Sequence, residues 1–396
     1  MSGIPGISPF GRIPSPQPPG RNHQGPQLFS VDSLRDHALT LGFDLCGIAP
    51  VAQVARLEYL KEWVARGYAG DLHYLTRSVP ARMDPTRVLP GARSAIVTGT
   101  IYNTDEPLSL SREAAGDARI ARYAWGEDYH EVLGRRQHLL IGWLKEHAGG
   151  RFEAVGYVDT GPVQEKALAA AAGLGWIGKH TCLINQELGS WLFLSVILTT
   201  LELPTGSAVP DRCGTCTRCI DVCPTQAIVE PYVVDATRCL SYVSIESHEG
   251  IAEGQREWLG AQVYGCDLCQ DVCPWNNGAA VTDDPVWVAR PMWRQATLAQ
   301  LWRATDEDLQ SNIRHSPMYR TKVWRLRRNF ALAIAATGDA DARAALLEPR
   351  DPEVDPSFAH PVVVEHVAWA RSRIEKAGLQ AAGGRRPAPD ATSGSL

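Results

Sequence analysis

Ten cysteines stand in this 396-residue chain, and eight of them fall between residues 213 and 273. Cys213, Cys216 and Cys219 run at two-residue gaps, and Cys223 follows after three, directly before Pro224. The second set is the lone Cys239, then Cys266, Cys269 and Cys273, the last directly before Pro274. A C-x2-C-x2-C-x3-C-P run is the two-cluster ferredoxin pattern, in which the fourth cysteine ligates the other cluster. That rule places one [4Fe-4S] cluster on Cys213, Cys216, Cys219 and Cys273, and a second on Cys223, Cys239, Cys266 and Cys269. Thiolates are soft donors that suit zinc as well, but zinc ribbons pair C-x2-4-C knuckles and do not need this longer run. A disulfide framework belongs to oxidising compartments. One-electron transfer is the chemistry to expect.

The length suggests two or three compact units, and a hydrophobic content of 44% supports a sizeable core. A formal charge of −5 gives no global sign of nucleic-acid binding, so any such surface must be local. No stretch reaches the ~18 uninterrupted apolar residues that a membrane helix needs. Residues 1–28 are rich in Pro and Gly and lack an apolar h-region, so they read as a disordered lead-in and not as a signal peptide. With the cluster cysteines, this points to the cytoplasm.

From residue 29 to 204 the pattern is α/β or α+β. Helices are predicted over 31–41, 54–65, 131–147 and 162–172, where apolar residues recur at three- and four-residue steps. Strands are predicted over 94–102, 154–158 and 191–200, rich in β-branched residues. The cysteine-rich segment, 205–285, is too poor in apolar periodicity to fold without its clusters. Only helical patterns remain over 290–378, at 298–303, 306–313, 318–336, 339–347 and 361–377. Residues 379–396 read as a disordered tail.

Several constellations outside the cysteines could carry chemistry. In Val158-Asp159-Thr160-Gly161-Pro162, Asp159 sits at the C-terminal end of a strand, where α/β proteins commonly place reactive groups. A helix cap by Asp159 or Thr160, with Pro162 in the first turn, is the other reading. In a partly closed cavity the carboxyl would be raised in pKa and serve as a proton donor. Gly173, Gly175 and Gly178 either let backbone approach a large ligand or form a tight turn. Lys179 and His180 follow them. The stretch Arg122–His130 either walls a flat cofactor or fills a core. Arg82 anchors an acidic or amide-bearing ligand, or forms a surface ion pair. Arg314, Arg320, Lys322, Arg325, Arg327 and Arg328, interleaved with Tyr319 and Trp324, form either a phosphate-backbone footprint or a solvated helix face balanced by acids such as Asp306.

Taken in order, the motifs resemble the epoxyqueuosine reductase family over residues 43–329. The carriers are Phe43-Asp44-Leu45-Cys46-Gly47-Ile48, Leu89-Pro90-Gly91-Ala92-Arg93-Ser94, Tyr123–His130, Val158–Val163, Gly175–Thr181, Gly189-Ser190-Trp191, both cysteine sets and Arg327-Arg328-Asn329. The resemblance implies a cobalamin-binding domain, a ferredoxin-like double [4Fe-4S] module, and a C-terminal α-helical, HEAT-like region that bears on tRNA. It implies reduction of epoxyqueuosine to queuosine at the tRNA wobble position, with Asp159 as catalytic acid. It makes Arg82, Asp159, Lys179, His180, Ser241 and Tyr242 the cobalamin contacts, although the family often has asparagine where His180 stands. The expected partners are tRNA and an external electron donor, with no membrane, and the expected state is a monomer. A reductive dehalogenase, a plain electron-transfer module and a corrinoid-activating protein are the competing readings.

Overall fold

The computed structural model describes residues 29–52, 54–111, 116–294 and 296–383. Residues 1–28 and 384–396, expected to be disordered, lie outside them.

The first unit is built on a four-stranded sheet. Ser30 opens helix α1 (Val31–Thr40) by accepting the Ser33 backbone N–H, and the chain enters β1 (Leu45–Pro50). After β2 (Ser94–Ile101) and the long helix α2 (Tyr129–His147) come β3 (Ala154–Tyr157), helix α3 (Glu165–Ala171) and β4 (Leu192–Thr199). The order is β1-β2-β4-β3, and every pairing in it is antiparallel. The unit is therefore α+β, and the parallel-sheet rule that singled out Asp159 does not apply to it.

Strand β2 is buried along its whole length because both faces are covered. Successive side chains alternate between faces. Ile96 and Ile197 meet Leu34, Leu133 and Leu140 of the α1 and α2 layer. Ala95, Val97, Val196 and Leu198 meet Leu168 and Ala169 of α3 on the other side. Helix α3 starts three residues later than its sequence pattern suggested, with Gln164 at a cap position that no side chain fills. Neither Asp159 nor Thr160 is the cap.

The second core crosses the domain boundaries that the sequence suggested. Residues 119–120 leave the first unit and pair in parallel with Gln262–Tyr264. Ile120 and Trp125 then pack with Val263, Trp293, Trp302 and Phe330 in one cluster. The C-terminal helices α5 (Leu298–Arg303), α6 (Asp306–Ile313), α7 (Val323–Ala336), α8 (Ala340–Leu347) and α9 (Pro361–Gly383) close around it. Helix α9 runs past the expected start of the tail at residue 379.

Two members of the basic run are core struts, which corrects the phosphate reading for them. Arg327 and Arg328 are fully buried. The Arg327 guanidinium donates to the carbonyls of Leu301, Trp302 and Ala304 and pairs with Asp306 at 3.0 Å. Arg328 donates to Ser247 and Ser244 carbonyls, and Asn329 donates to those of Ser244 and Val263. Removing one partner of a buried ion pair typically costs about 3–5 kcal/mol. Arg327→Met is therefore expected to lower unfolding stability by about that much, read by denaturant titration of the holoprotein. An unchanged midpoint would contradict the strut.

Candidate functional site

The cysteines lie close enough for their charges to act on one another. Burial pushes the Cys219 thiol up to about 11, and the thiol charges that add to this belong to Cys273, Cys213 and Cys216. Around Cys266, burial is joined by the charges of Cys239 and Cys223. Cys269 is raised by burial and by the charges of Cys182, Cys266 and Cys239. Cys273 thus sides with the first triplet, and Cys223 with the second set. Among the described residues, no three His, Cys, Asp or Glu side chains converge on a point fit for a single metal ion.

The glycine-rich loop serves the first cluster's surroundings. Lys179 Nζ donates to the carbonyls of Gly214 (2.6 Å) and Cys216 (2.9 Å). Trp176 and Ile184 pack on Cys273 beside Cys213 and Trp275. A Cβ on Gly175 would sit 2.1 Å from the Ile184 carbonyl oxygen, so this glycine admits the protein's own backbone and not a ligand. The reading of a tight turn holds there.

Helix α4 (Leu240–Ile245) connects the second cluster to a cavity. Cys239 is its N-cap; burial raises its thiol, and the neighbouring Ser241 and Tyr242 act against that rise. The Tyr242 hydroxyl accepts the Asp71 backbone N–H. Ser241 therefore stands two residues after Cys239, and Tyr242 ties down the loop at residues 70–71.

The cavity beyond α4 measures about 340 Å3, at the lower end of the range for small-molecule sites. Tyr74, Tyr123, Tyr129 and Tyr264 wall it, together with Asp159, His130, Glu246, Arg320 and Arg325. A larger cavity of about 770 Å3 lies beside Cys273 and contains none of these residues. The stretch 122–130 divides between the two readings. Trp125 is core, donating its indole N–H to the Ile120 carbonyl, whereas Tyr123, Tyr129 and His130 face the cavity.

Asp159 sits at the end of β3 with φ +58°, a left-handed conformation that a non-glycine residue adopts at some cost. Its side chain keeps 63% of its surface accessible while protein surrounds the cavity around it. The Tyr129 hydroxyl donates to Oδ2 at 3.0 Å, and His130 Nε2 approaches the same oxygen at 3.4 Å. His130 Nδ1 lies 2.6 Å from Asp128 Oδ1. Both imidazole nitrogens face carboxylates, and only the imidazolium donates from both. Burial pulls the His130 pKa down, but Asp128 and Asp159 outweigh it and hold it above the ordinary 6.5. Burial pushes Asp159 up, but His130 and Tyr129 outweigh that and hold it below the usual carboxylate range. The expectation of a raised carboxyl at Asp159 is thus reversed, and both shifts favour an imidazolium beside a carboxylate. His130 closes the Tyr123–His130 motif, yet nothing in its local spacing gave it this role.

Arg82 donates to the Val163 carbonyl at 2.7 Å and so braces the segment following Asp159. His180 accepts the Cys182 backbone N–H at Nδ1, which leaves Nε2 as a buried donor without a partner. Glu165 is pushed up to about 8 by burial and then by the Asp159 charge, and its Oε1 is also unpartnered. Unpaired buried polar atoms are rare, and these two suit a ligand rich in amides.

A parallel-free sheet unit joined to a cysteine double module, with a walled acid–imidazole cavity where they meet, defines an iron–sulfur oxidoreductase. Residues 212–276 match the 4Fe-4S double cluster binding domain, and residues 82–160 match the family described as epoxyqueuosine reductase QueG, DUF1730. The chain is 45% identical to an epoxyqueuosine reductase of Gloeobacter violaceus, over 78% of this chain and 98% of that one. It is 38% identical to the enzyme of Xanthomonas campestris pv. campestris, over 85% and 94%. A crystal structure of epoxyqueuosine reductase with an epoxyqueuosine-modified tRNA-Tyr stem loop superposes with a TM-score of 0.75 at 28% identity, covering 90% of this chain and 94% of that one. The chain belongs to the epoxyqueuosine reductase family.

Proposed function

We propose that this protein reduces epoxyqueuosine to queuosine in tRNA, taking two electrons and two protons and releasing water. The observation that carries the reading is the Asp128–His130–Asp159 chain, closed by Tyr129, in the wall of a cavity that the cysteine module also lines. An epoxide oxygen leaves poorly as an alkoxide, so a proton must be at hand. His130 holds it, and Asp159 takes it up and delivers it as the oxygen departs. Support comes from a related Bacillus subtilis structure, at 26% identity, described with its catalytic aspartate loop swung out of the active site.

The residues present fit cobalamin, whose amide arms both donate and accept. His180 Nε2 and the protonated Glu165 would serve those arms. When bound, the cofactor would supply the reducing metal centre, and the cluster cysteines would serve one-electron delivery toward it. Arg82 keeps the Asp159 segment in place, and Lys179 and Ser241 act toward the clusters. The helices 290–378 form a HEAT-like region bearing on tRNA, and an external donor supplies the electrons. Among the described residues no helix is long and apolar enough to cross a membrane.

Arg314, Arg320 and Lys322 are exposed and Arg325 is half-buried, so these four are left to meet phosphates. Trp324 stacks on His360 at 4.0 Å, whereas Tyr319 is exposed. Removing one cation that neutralises a phosphate should flatten the plot of log affinity against log salt by about 0.7–0.9. Arg320→Gln and Arg325→Gln are each expected to do so, and unchanged slopes would return the run to a solvated face. The function itself is tested in a deletion strain by mass analysis of tRNA nucleosides. Accumulated epoxyqueuosine is the expected result, and normal queuosine refutes the reading.

A further inference from the structure

Two carboxylates share the cavity, and they differ in what already holds them. Asp159 is engaged by Tyr129 and His130. Glu246 lines the same cavity, half-buried, and its side chain makes no hydrogen bond or ion pair among the described residues. The neighbouring cations do not close on it. Arg325 turns its guanidinium to His248 Nδ1 at 2.6 Å, and Arg320 forms no ion pair within 4 Å among the described residues. A carboxylate in such surroundings is costly to leave unpaired.

The backbone that presents Glu246 is fixed. It is the C-cap of α4, whose other end is the cluster ligand Cys239. Arg328 and Asn329 grip the carbonyls of Ser244 and Ser247 on either side of it. A short helix thus sets the distance between the second cluster and an acid that lines the same cavity as Asp159. The cavity's tyrosines offer ring faces that also attract cations.

Resting on the epoxyqueuosine reading above, we propose that Glu246 is a specificity-determining residue that binds the ammonium of the substrate's secondary amine. That amine links the deazaguanine base to the epoxide-bearing ring, so its charge lies between the two ends of the ligand. Pairing it with Glu246 leaves the epoxide to face Asp159. An unmodified guanosine at the wobble position has no such charge and gains nothing from Glu246.

The test compares binding of the holoprotein to two anticodon stem–loops, one with epoxyqueuosine and one with guanosine at the wobble position. Glu246→Gln keeps the shape and removes the charge. It is expected to weaken the epoxyqueuosine loop by about 30-fold, the lower end for breaking one partner of a buried charge pair. Affinity for the guanosine loop and the iron–sulfur absorption should not change, and Glu246→Asp should restore part of the preference. Equal weakening of both loops would assign Glu246 to the base edge or to the fold and overturn the proposal. Undiminished preference in Glu246→Gln, with wild-type protein converting the epoxyqueuosine loop, overturns the proposal alone. Failure of wild-type protein to convert that loop overturns the epoxyqueuosine reading and the proposal with it.

Discussion

Asp159→Asn is expected to slow epoxyqueuosine reduction by about 10²–10⁴-fold, the usual contribution of a positioned proton donor. The amide keeps the size and the hydrogen bond from Tyr129 but cannot carry a proton from His130 to oxygen. Iron content should stay at the wild-type level, because Asp159 touches none of the cysteines. The pH profile separates this from a general loss of structure. His130 is raised above 6.5 by Asp128 and Asp159 against the effect of burial, so its proton persists above that pH and is lost as pH rises through the raised value. Wild-type turnover should therefore fall on the alkaline side. In Asp159→Asn, His130 keeps only Asp128 as a charged partner, and the residual activity should begin to fall at lower pH. Full turnover in this variant, with clusters and cobalamin retained, would remove Asp159 from the chemistry.

Cys273→Ala should abolish turnover and take about four of eight irons with it, and the four removed should belong to the cluster of Cys213, Cys216 and Cys219. The charges bearing on Cys219 come first from Cys273, although 54 residues of chain separate them by number (273 − 219). Cys273→Ala and Cys219→Ala are accordingly expected to leave the same electron-paramagnetic spectrum from the surviving cluster. Cys223→Ala should match Cys239→Ala instead. A double Cys219/Cys273 variant should lose no more iron than either single one, since both remove the same cluster. Pairing in sequence order, with Cys223 completing the first triplet, would reverse these matches. Cross-ligation would also make the module one unit, so loss of either cluster should loosen the other. Structural metal sites commonly contribute folding energy outright.

The sequence was most legible where local spacing alone determines the chemistry. The helix expected over 131–147 and the strand over 94–102 stand within two residues of Tyr129–His147 and Ser94–Ile101, and the cysteine run lies in the matched double-cluster segment 212–276. Legibility failed where long-range packing decides the outcome. Arg327 and Arg328 look like a basic surface until α7 turns them inward onto Asp306 and the carbonyls of Ser244 and Ser247. Lys179 follows a glycine-rich loop, yet its ammonium reaches forward 35 residues to Gly214. The pKa of Asp159 was expected to rise by burial, and His130, 29 residues earlier, reverses the sign. Glu246 gave no local signal beyond an acid directly after an apolar helix. Its meaning depends on Tyr129, Asp159 and Arg325 arriving from three other segments.

The central claim is that this cavity, fed by two clusters, removes oxygen from a modified wobble base. The most direct measurement incubates purified protein, with reconstituted clusters, cobalamin and a low-potential reductant, with an epoxyqueuosine-bearing anticodon stem–loop. Mass spectrometry of the digested nucleosides then reads the product. Loss of one oxygen atom, giving queuosine in wild-type protein and far less in Asp159→Asn, is the expected result. An unchanged epoxyqueuosine mass in wild-type protein with both clusters present would contradict the claim.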